Sequence, residues 1–250
     1  MSVLNAERIK LTSTKSPMWC GLAALAISVG LAAAVGADHR SSVQSGDSSL
    51  GGFAAAYTQI GAVKLGSMLV MIMSALAVTT EYRFGVIRTT FQTIPIRSRV
   101  IGGKALLLAM IATALGLVTA LASFFVAQAF SGETLSIGSG SNAREIFGVP
   151  VYFALLAVLA VGVGTLIRQS AGAISLLLLW PLVIESIATM IPKVGKYIVE
   201  FGPFNNVSYF LGQGSSMDFR WGPWGALLYF AAFVAIVFGA SMVTVNKRDA

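Results

Sequence analysis

The sequence predicts an all-α membrane protein that crosses the bilayer six times, with both termini in the cytoplasm. Of its 250 residues, 56% are apolar and only 11% are charged, whereas soluble domains carry about 25% charged residues. The apolar residues form six continuous runs, and lysine and arginine concentrate on one side of those runs. So few charges cannot cover a surface in water, so we expect a single transmembrane domain over residues 1–250.

The six runs have the length that a membrane-spanning helix needs. A hydrocarbon core about 30 Å thick is crossed by about 20 helical residues, and unpaired backbone groups are not tolerated in lipid. The predicted spans are residues 18–36, 60–80, 101–130, 148–167, 171–191 and 223–245. The first run is longer than the apolar part of a signal peptide, so we expect it to stay uncleaved. The third is long enough that it must tilt or project.

The basic residues predict the orientation of the spans. Eleven of the 17 lysines and arginines fall on the side that carries both termini, and seven of the ten acids fall on the other. Because cytoplasmic loops are enriched in lysine and arginine, residues 37–57, 131–147 and 192–222 are predicted to be external. The prolines and interleaved aromatics of the last segment predict short interfacial helices before the sixth span.

The net charge of +7 does not indicate a nucleic-acid partner in this context. The basic residues flank the apolar runs, where they would face the anionic lipids of the cytoplasmic leaflet. We therefore expect membrane lipid, and no nucleic acid, as the partner of this charge.

The segment at about 81–99, between the second and third spans, has the most informative pattern. Its apolar residues recur at spacings of three, four and three, namely Phe84, Ile87, Phe91 and Ile94. This spacing forms one helical face, and Pro95 cannot continue the helix. The pattern predicts a short amphipathic helix along the inner membrane surface. It is either a basic loop that fixes topology or a docking helix for a cytoplasmic partner.

Here the sequence resembles a known family. Glu81-x-Arg83-x-Gly85, followed by Ile94-Pro95-x-Arg97-Ser98-Arg99 and Lys104, is similar to the coupling segment of permease subunits of type-2 ATP-binding cassette exporters. The resemblance covers nearly the whole chain. It includes the acid and lysines before the first span, the tight turn over residues 164–170, Trp180-Pro181-x-x-x-Glu185 and the basic C-terminus. Val86-Ile87 departs from the pattern, since a small polar residue is commoner after the glycine.

The resemblance implies a permease of the bacterial inner membrane that exports a small apolar or amphiphilic substrate. It implies a second copy or a homologous permease as partner, and cytoplasmic ATPase subunits that hold ATP and Mg. The segment would dock the ATPase through eight residues: Glu81, Arg83, Gly85, Arg88, Gln92, Pro95, Arg97 and Arg99. Movement of that segment would be transmitted to the third span.

The chain has no sequence signature of its own chemistry. A P-loop needs G-x-x-x-x-G-K-[ST], and the nearest string, Gly102-Gly103-Lys104, is followed by alanine. The only histidine, His39, lies in a predicted external loop, and no Cys/His cluster has metal-ligand spacing. We therefore expect no enzyme activity, metal or cofactor in this chain.

Glu185 is the clearest ionisable residue within a predicted span. A carboxylate at a helix centre is costly, about 2.5–3.5 kcal/mol for aspartate, so Glu185 must face protein or water. It lies four residues after Pro181, which frees a backbone carbonyl. Two roles stay open: a structural partner of Lys193 or of the backbone, or a place in the substrate pathway.

Two other function classes stay open beside the exporter. A secondary transporter driven by an ion gradient usually shows repeats, broken helices and midplane ionisable residues, and Glu185 is the one residue that suggests it. A membrane assembly subunit without transport would need only the spans. An adjacent gene for an ATPase would favour the exporter. No motif selects the substrate or decides between identical and different permeases.

Overall fold

The computed structural model describes residues 15–45, 53–93, 96–138, 140–188, 195–214 and 219–247. All regular structure in these ranges is helical. Within them, six helices are long and apolar enough to cross a membrane, which confirms the six predicted spans. We number the helices α1 to α10, counting each candidate span as one helix.

The bounds of the helices follow the chain in order. The six candidate spans are α1 (Lys15–Gln44), α3 (Ala62–Arg83), α5 (Arg97–Ser131), α6 (Asn142–Ile167), α7 and α10 (Pro223–Lys247). Helix α7 has three consecutive parts, Ser170–Leu179, Trp180–Ile184 and Glu185–Ala188. The short helices are α2 (Ala55–Thr58), α4 (Val86–Thr93), α8 (Gly195–Phe201) and α9 (Pro203–Phe210).

Helix α6 is the centre of the bundle. In its most apolar stretch 72% of the residues are buried, and in α3 61% are, against 17% in α7. Helix α6 packs against α3, α5, α7 and α10, while α1 packs against α3 and α5. Helices α1, α7 and α10 therefore line the outside of the bundle, and each turns an apolar face outward.

Small residues allow the close approach of neighbouring spans. A Cβ on Gly36 would lie 2.5 Å from the carbonyl oxygen of Ala127, and one on Gly116 would lie 2.8 Å from Cα of Pro150. The hydrophobic effect does not draw helices together in lipid, so van der Waals contact between them must do so. Interfaces between membrane helices are therefore enriched in small residues. These two glycines set the distances of α5 from α1 and from α6.

Two of the loops that the sequence predicts to be external are shorter than expected. Helix α1 continues to Gln44, so the predicted loop over 37–57 is wrong for its first eight residues, and α6 already begins at Asn142. The polar end of α1 is stabilised by side chains, because His39 lies 3.1 Å from the Glu133 carboxylate and packs its ring, tilted by 32°, against Phe53. The helix thus extends beyond the apolar run that hydropathy detects.

Two candidate spans contain a π-helical turn. The turn at Ala62–Gly66 is in α3 and the turn at Trp180–Ile184 is in α7. The second contains Pro181, whose missing N–H cannot close the regular ladder. Helix α5 has 35 residues, or about 52 Å, which confirms an unusually long third span.

The connections give the bundle two distinct ends. At one end, called the α4 end, the short helix α4 joins α3 to α5, and Arg168 turns the chain from α6 into α7 with φ of +60°. The tight turn predicted over residues 164–170 is therefore present. At the other end, called the α9 end, α8 and α9 lie between α7 and α10, which confirms short helices in the predicted segment.

Candidate functional site

Helix α4 is amphipathic and begins immediately after a glycine turn. Gly85 has φ of +70°, a conformation that costs other residues energy, and it separates α3 from α4. Ile87 is buried and Phe91 is half-buried, whereas Gln92 is exposed. Of the predicted apolar helical face, Phe84 does not belong to this helix, and Ile94 lies outside the described residues. Phe84 precedes the helix as the cap of α3, and its side chain is 72% exposed.

A buried ion pair joins the two spans that hold α4. Nζ of Lys104 donates to Oε1 of Glu81 at 3.1 Å, and the two residues are only 2% and 8% exposed. Buried charges are tolerated when each has a partner of opposite sign. Glu81 therefore has its carboxylate inside the protein, between α3 and α5, and not on the surface of the predicted docking segment.

Arg97 connects α4 to the end of the last span. Its guanidinium carbon lies 5.6 Å from the ring centre of Phe91, within the range of a cation–π contact. Its Nη1 also donates to the carbonyl oxygen of Val245 at 3.5 Å. The start of α5, the buried side of α4 and the C-terminal turn of α10 thus meet at one arginine.

The remaining predicted docking residues have different surroundings. Arg83, Gln92 and Arg99 are exposed at the α4 end, and Gly85 forms the turn. The side chain of Arg88, and Pro95 as a whole, lie outside the described residues. The predicted docking residues therefore fall into two separate sets. Arg83, Gln92 and Arg99 are exposed, whereas Glu81 is internal and pairs with Lys104.

Sequence reasoning assigned no contact to Arg168, a basic residue at the α4 end. The guanidinium carbon of Arg168 lies 5.1 Å from the ring centre of Tyr82, so the turn between α6 and α7 contacts the end of α3. Ser170 supports the same contact, because its hydroxyl donates to Oγ1 of Thr79 at 2.8 Å. The sequence does show an arginine in a two-residue turn. It could not show the contact, because Tyr82 lies 86 residues before Arg168.

At the α9 end, Glu185 caps the N-terminus of α9. Its Oε1 accepts hydrogen bonds from Trp180 Nε1 and from the backbone N–H of Phe204, both at 3.1 Å, and Oε2 accepts from Asn205 N–H at 2.7 Å. A carboxylate suits this place, because the first N–H groups of a helix have no partners within it. The residue at the cap position, Gly202, has no side chain to do this.

The π-helical turn explains how Trp180 and Glu185 meet. In a regular helix, residues five apart lie on different faces, whereas a π turn closes over five residues. The turn at Trp180–Ile184 therefore brings the indole N–H within reach of the carboxylate that follows it. The backbone contact that the sequence left open for Glu185 is confirmed. Its other suggested partner, Lys193, lies outside the described residues.

The described residues contain no group of three His, Cys, Asp or Glu side chains that could hold a metal ion. No family model matches the chain, and no curated protein matches it.

Proposed function

We propose that this chain is the transmembrane permease subunit of an ATP-driven exporter of the type-2 ATP-binding cassette class. The observation that carries the proposal is α4. It is a short amphipathic helix between two candidate spans, buried on the side of Ile87 and exposed on the side of Gln92. Such a helix presents a surface to a partner while remaining fixed to the bundle. A basic loop that only fixes the topology would need its positive charges but not an amphipathic helix.

The charge pattern supports a cytoplasmic position for the α4 end. Arg83, Arg97, Arg99, Arg168 and Lys247 all lie at this end of the bundle. Basic residues next to spans favour the cytoplasmic side. An ATPase that uses cellular ATP would meet the chain there. In this proposal the protein is a multi-pass protein of the bacterial inner membrane.

The contacts below α4 supply a route for movement. Helix α4 is joined to α3 and α5 at its two ends, and the Glu81–Lys104 pair joins those spans to each other. Arg97 adds α10 through Val245. A push on α4 by the ATPase would therefore act on three spans together. We assign docking contacts to the exposed Arg83, Gln92 and Arg99, and a positioning role to Glu81 and Arg97.

The partners follow from what the chain has and lacks. Its sequence has no P-loop, so ATP and Mg would bind to separate ATPase subunits, and no enzyme activity is assigned to this chain. The outward apolar faces of α1 and α7 would adjoin a second permease, identical or homologous. A pathway between the two would suit a small apolar or amphiphilic substrate.

Co-purification with the ATPase encoded by a neighbouring gene tests this function. We expect the double variant Arg83→Glu/Arg88→Glu to lose at least tenfold of the bound ATPase, because both reversals fall on the predicted docking segment. Arg220→Glu is the matched control, since Arg220 is exposed at the opposite end and should not affect binding. Transport by the purified chain without any ATPase would contradict the proposal.

One observation favours a second candidate, a secondary transporter. Helix α7 is interrupted by a π turn beside a buried carboxylate, and broken helices with buried ionisable groups are typical of that class. The two candidates are separated by vesicles that hold the chain alone. Uptake driven by an ion gradient would favour the secondary transporter, and dependence on the ATPase and ATP would favour the exporter.

A further inference from the structure

Two cavities meet at Trp180 on the side of the bundle where α7 faces α9 and α10. The cavity at the α9 end has a volume of about 360 Å³ and includes Trp180, Glu185, Tyr197 and Phe201 in its wall. The second has about 290 Å³ and extends from Trp180 toward the α4 end. We call them the head cavity and the tail cavity. Their volumes lie near the lower end of the range for small-molecule sites, about 300–1,000 Å³.

The tail cavity has an entirely apolar character. It lies between α6, α7, α9 and α10, and aliphatic and aromatic side chains form its wall, among them Leu159, Val163, Leu176, Phe204, Phe233 and Val237. A hydrocarbon chain would gain contacts with these side chains, while a polar group would lose its hydrogen bonds there.

The head cavity combines three aromatic rings with one carboxylate. The faces of tryptophan, tyrosine and phenylalanine attract cations, above all quaternary ammonium groups. The ring of Tyr197 is 64% exposed and that of Phe201 is 43% exposed, so both border an open entrance. Glu185 lies inside, where only 3% of the residue is exposed.

The charge of Glu185 is only partly compensated by the chain. Its carboxylate forms no ion pair with a lysine or arginine among the described side chains. The N-terminus of α9 provides about half a positive charge. Three hydrogen bonds reach the carboxylate, which offers about four acceptor positions. The charge of Lys64 also acts on Glu185, but Lys64 is exposed and forms no ion pair with it, so part of the negative charge remains to attract a cationic ligand.

We infer that the two cavities form one site for an amphiphile with an ammonium head and a single apolar tail. The head lies among Trp180, Tyr197 and Phe201 against Glu185, and the tail lies between α7 and α10. This direction matches that of a lipid in the leaflet at the α9 end. The inference concerns binding by this chain alone, so it stands or falls independently of the ATPase.

Binding of radiolabelled dodecyltrimethylammonium tests the site directly. The full chain is placed in nanodiscs, and the label bound by empty nanodiscs is subtracted. Displacement is then measured with dodecyl maltoside and dodecyl sulfate, which share the tail and differ in the head. We expect saturable binding of the cation, with an affinity about tenfold above that of either competitor, as for the attraction between a cation without N–H groups and a nearby, partly compensated carboxylate. Equal affinities of the three heads would overturn the inference.

Lysophosphatidylcholine with the same tail identifies the source of the ligand. It carries the trimethylammonium group beside a phosphate, as a lipid does. Stronger displacement by lysophosphatidylcholine than by unlabelled dodecyltrimethylammonium supports the site with a lipid as its occupant, and weaker displacement supports it with a free cationic amphiphile. No displacement of the label by either compound would overturn the inference.

Variants separate the head from the tail. Glu185→Gln keeps the size of the side chain and should remove the tenfold preference for the cation while all three compounds still bind. Leu176→Trp, in the wall of the tail cavity, should weaken all three alike, and Leu228→Trp on an exposed part of α10 is its control. If Glu185→Gln does not assemble, Tyr197→Leu tests the same cavity at an exposed position. An unchanged preference in the assembled head variant would overturn the inference.

Discussion

Glu81 at the α4 end and Glu185 at the α9 end are both buried carboxylates, but the chain compensates their charges differently. At the α4 end, Glu81 faces a full opposite charge, the ammonium of Lys104 at 3.1 Å. At the α9 end, Glu185 faces the dipoles of two backbone N–H groups and one indole N–H. A full ion pair closes the site to other charges, whereas partial charges leave room for one. The α4 end is therefore built to hold spans together and the α9 end to hold a helix and accept a ligand.

The largest effect is expected from breaking the pair at the α4 end. Lys104→Met would leave the Glu81 carboxylate buried without its lysine, which costs about 3–5 kcal/mol. We expect a large fall in the unfolding temperature, measured by thermal unfolding of the purified chain in detergent. The double variant Glu81→Gln/Lys104→Met removes both charges and should recover most of the stability. A double variant no more stable than Lys104→Met would show that the pair is not the cause.

A smaller effect is expected at the α9 end, because no full charge loses its partner there. Glu185→Ala removes the cap of α9 and should cost about 0.5–2 kcal/mol. Amide hydrogen exchange in Pro203–Phe210 should increase, while exchange in Val86–Thr93 should not change. Glu185→Gln keeps one acceptor and should give a smaller increase. An equal increase in both helices would contradict a local role.

In the proposed complex with an ATPase, Glu185→Gln should also reduce transport without loss of the ATPase. The substitution removes the charge of the head cavity but keeps the size of the side chain. Substrate transport is measured in vesicles that contain the chain and its ATPase, with co-purification as the control for assembly. Transport at the unsubstituted rate would remove Glu185 from the substrate pathway and leave it the structural role alone.

The smallest effect on stability is expected at Arg97. Arg97→Gln removes the cation–π contact with Phe91, worth about 0.5–1 kcal/mol at exposed sites, and alters the hydrogen bond to Val245. We expect little change in unfolding temperature but faster hydrogen exchange in α4, and weaker stimulation of the ATPase at unchanged binding. Arg99→Gln is the matched control, since Arg99 is exposed nearby. If Arg99→Gln has the same effect, the contacts of Arg97 are not what position α4.

Hydropathy and periodicity predicted the parts that depend on local sequence. The six spans follow from apolar runs, and α4 follows from the spacing of Ile87 and Phe91. The ends of α1 and the position of Phe84 could not be predicted, because they depend on a contact between His39 and Glu133 and on the conformation of Gly85. Helix ends are decided by such contacts as much as by composition.

The charges inside the bundle were harder to place for a related reason. The partner of Glu81 lies 23 residues away and one partner of Glu185 lies 20 residues away, beyond the reach of any helical period. The sequence marked Glu185 as unusual because it lies in an apolar run. It gave no such sign for Lys104, which looks like one more basic residue at the start of a span.

Cysteine labelling tests most directly the claim that α4 faces a cytoplasmic ATPase. In a Cys20→Ser background, which removes the only native cysteine, Gln92→Cys is introduced on α4 and Arg220→Cys at the opposite end. Intact cells are treated with a membrane-impermeant maleimide, and inverted vesicles with a thiol cross-linker. The account predicts that Arg220→Cys alone is labelled from outside, and that Gln92→Cys alone cross-links to the ATPase. Labelling of Gln92→Cys from outside would contradict it.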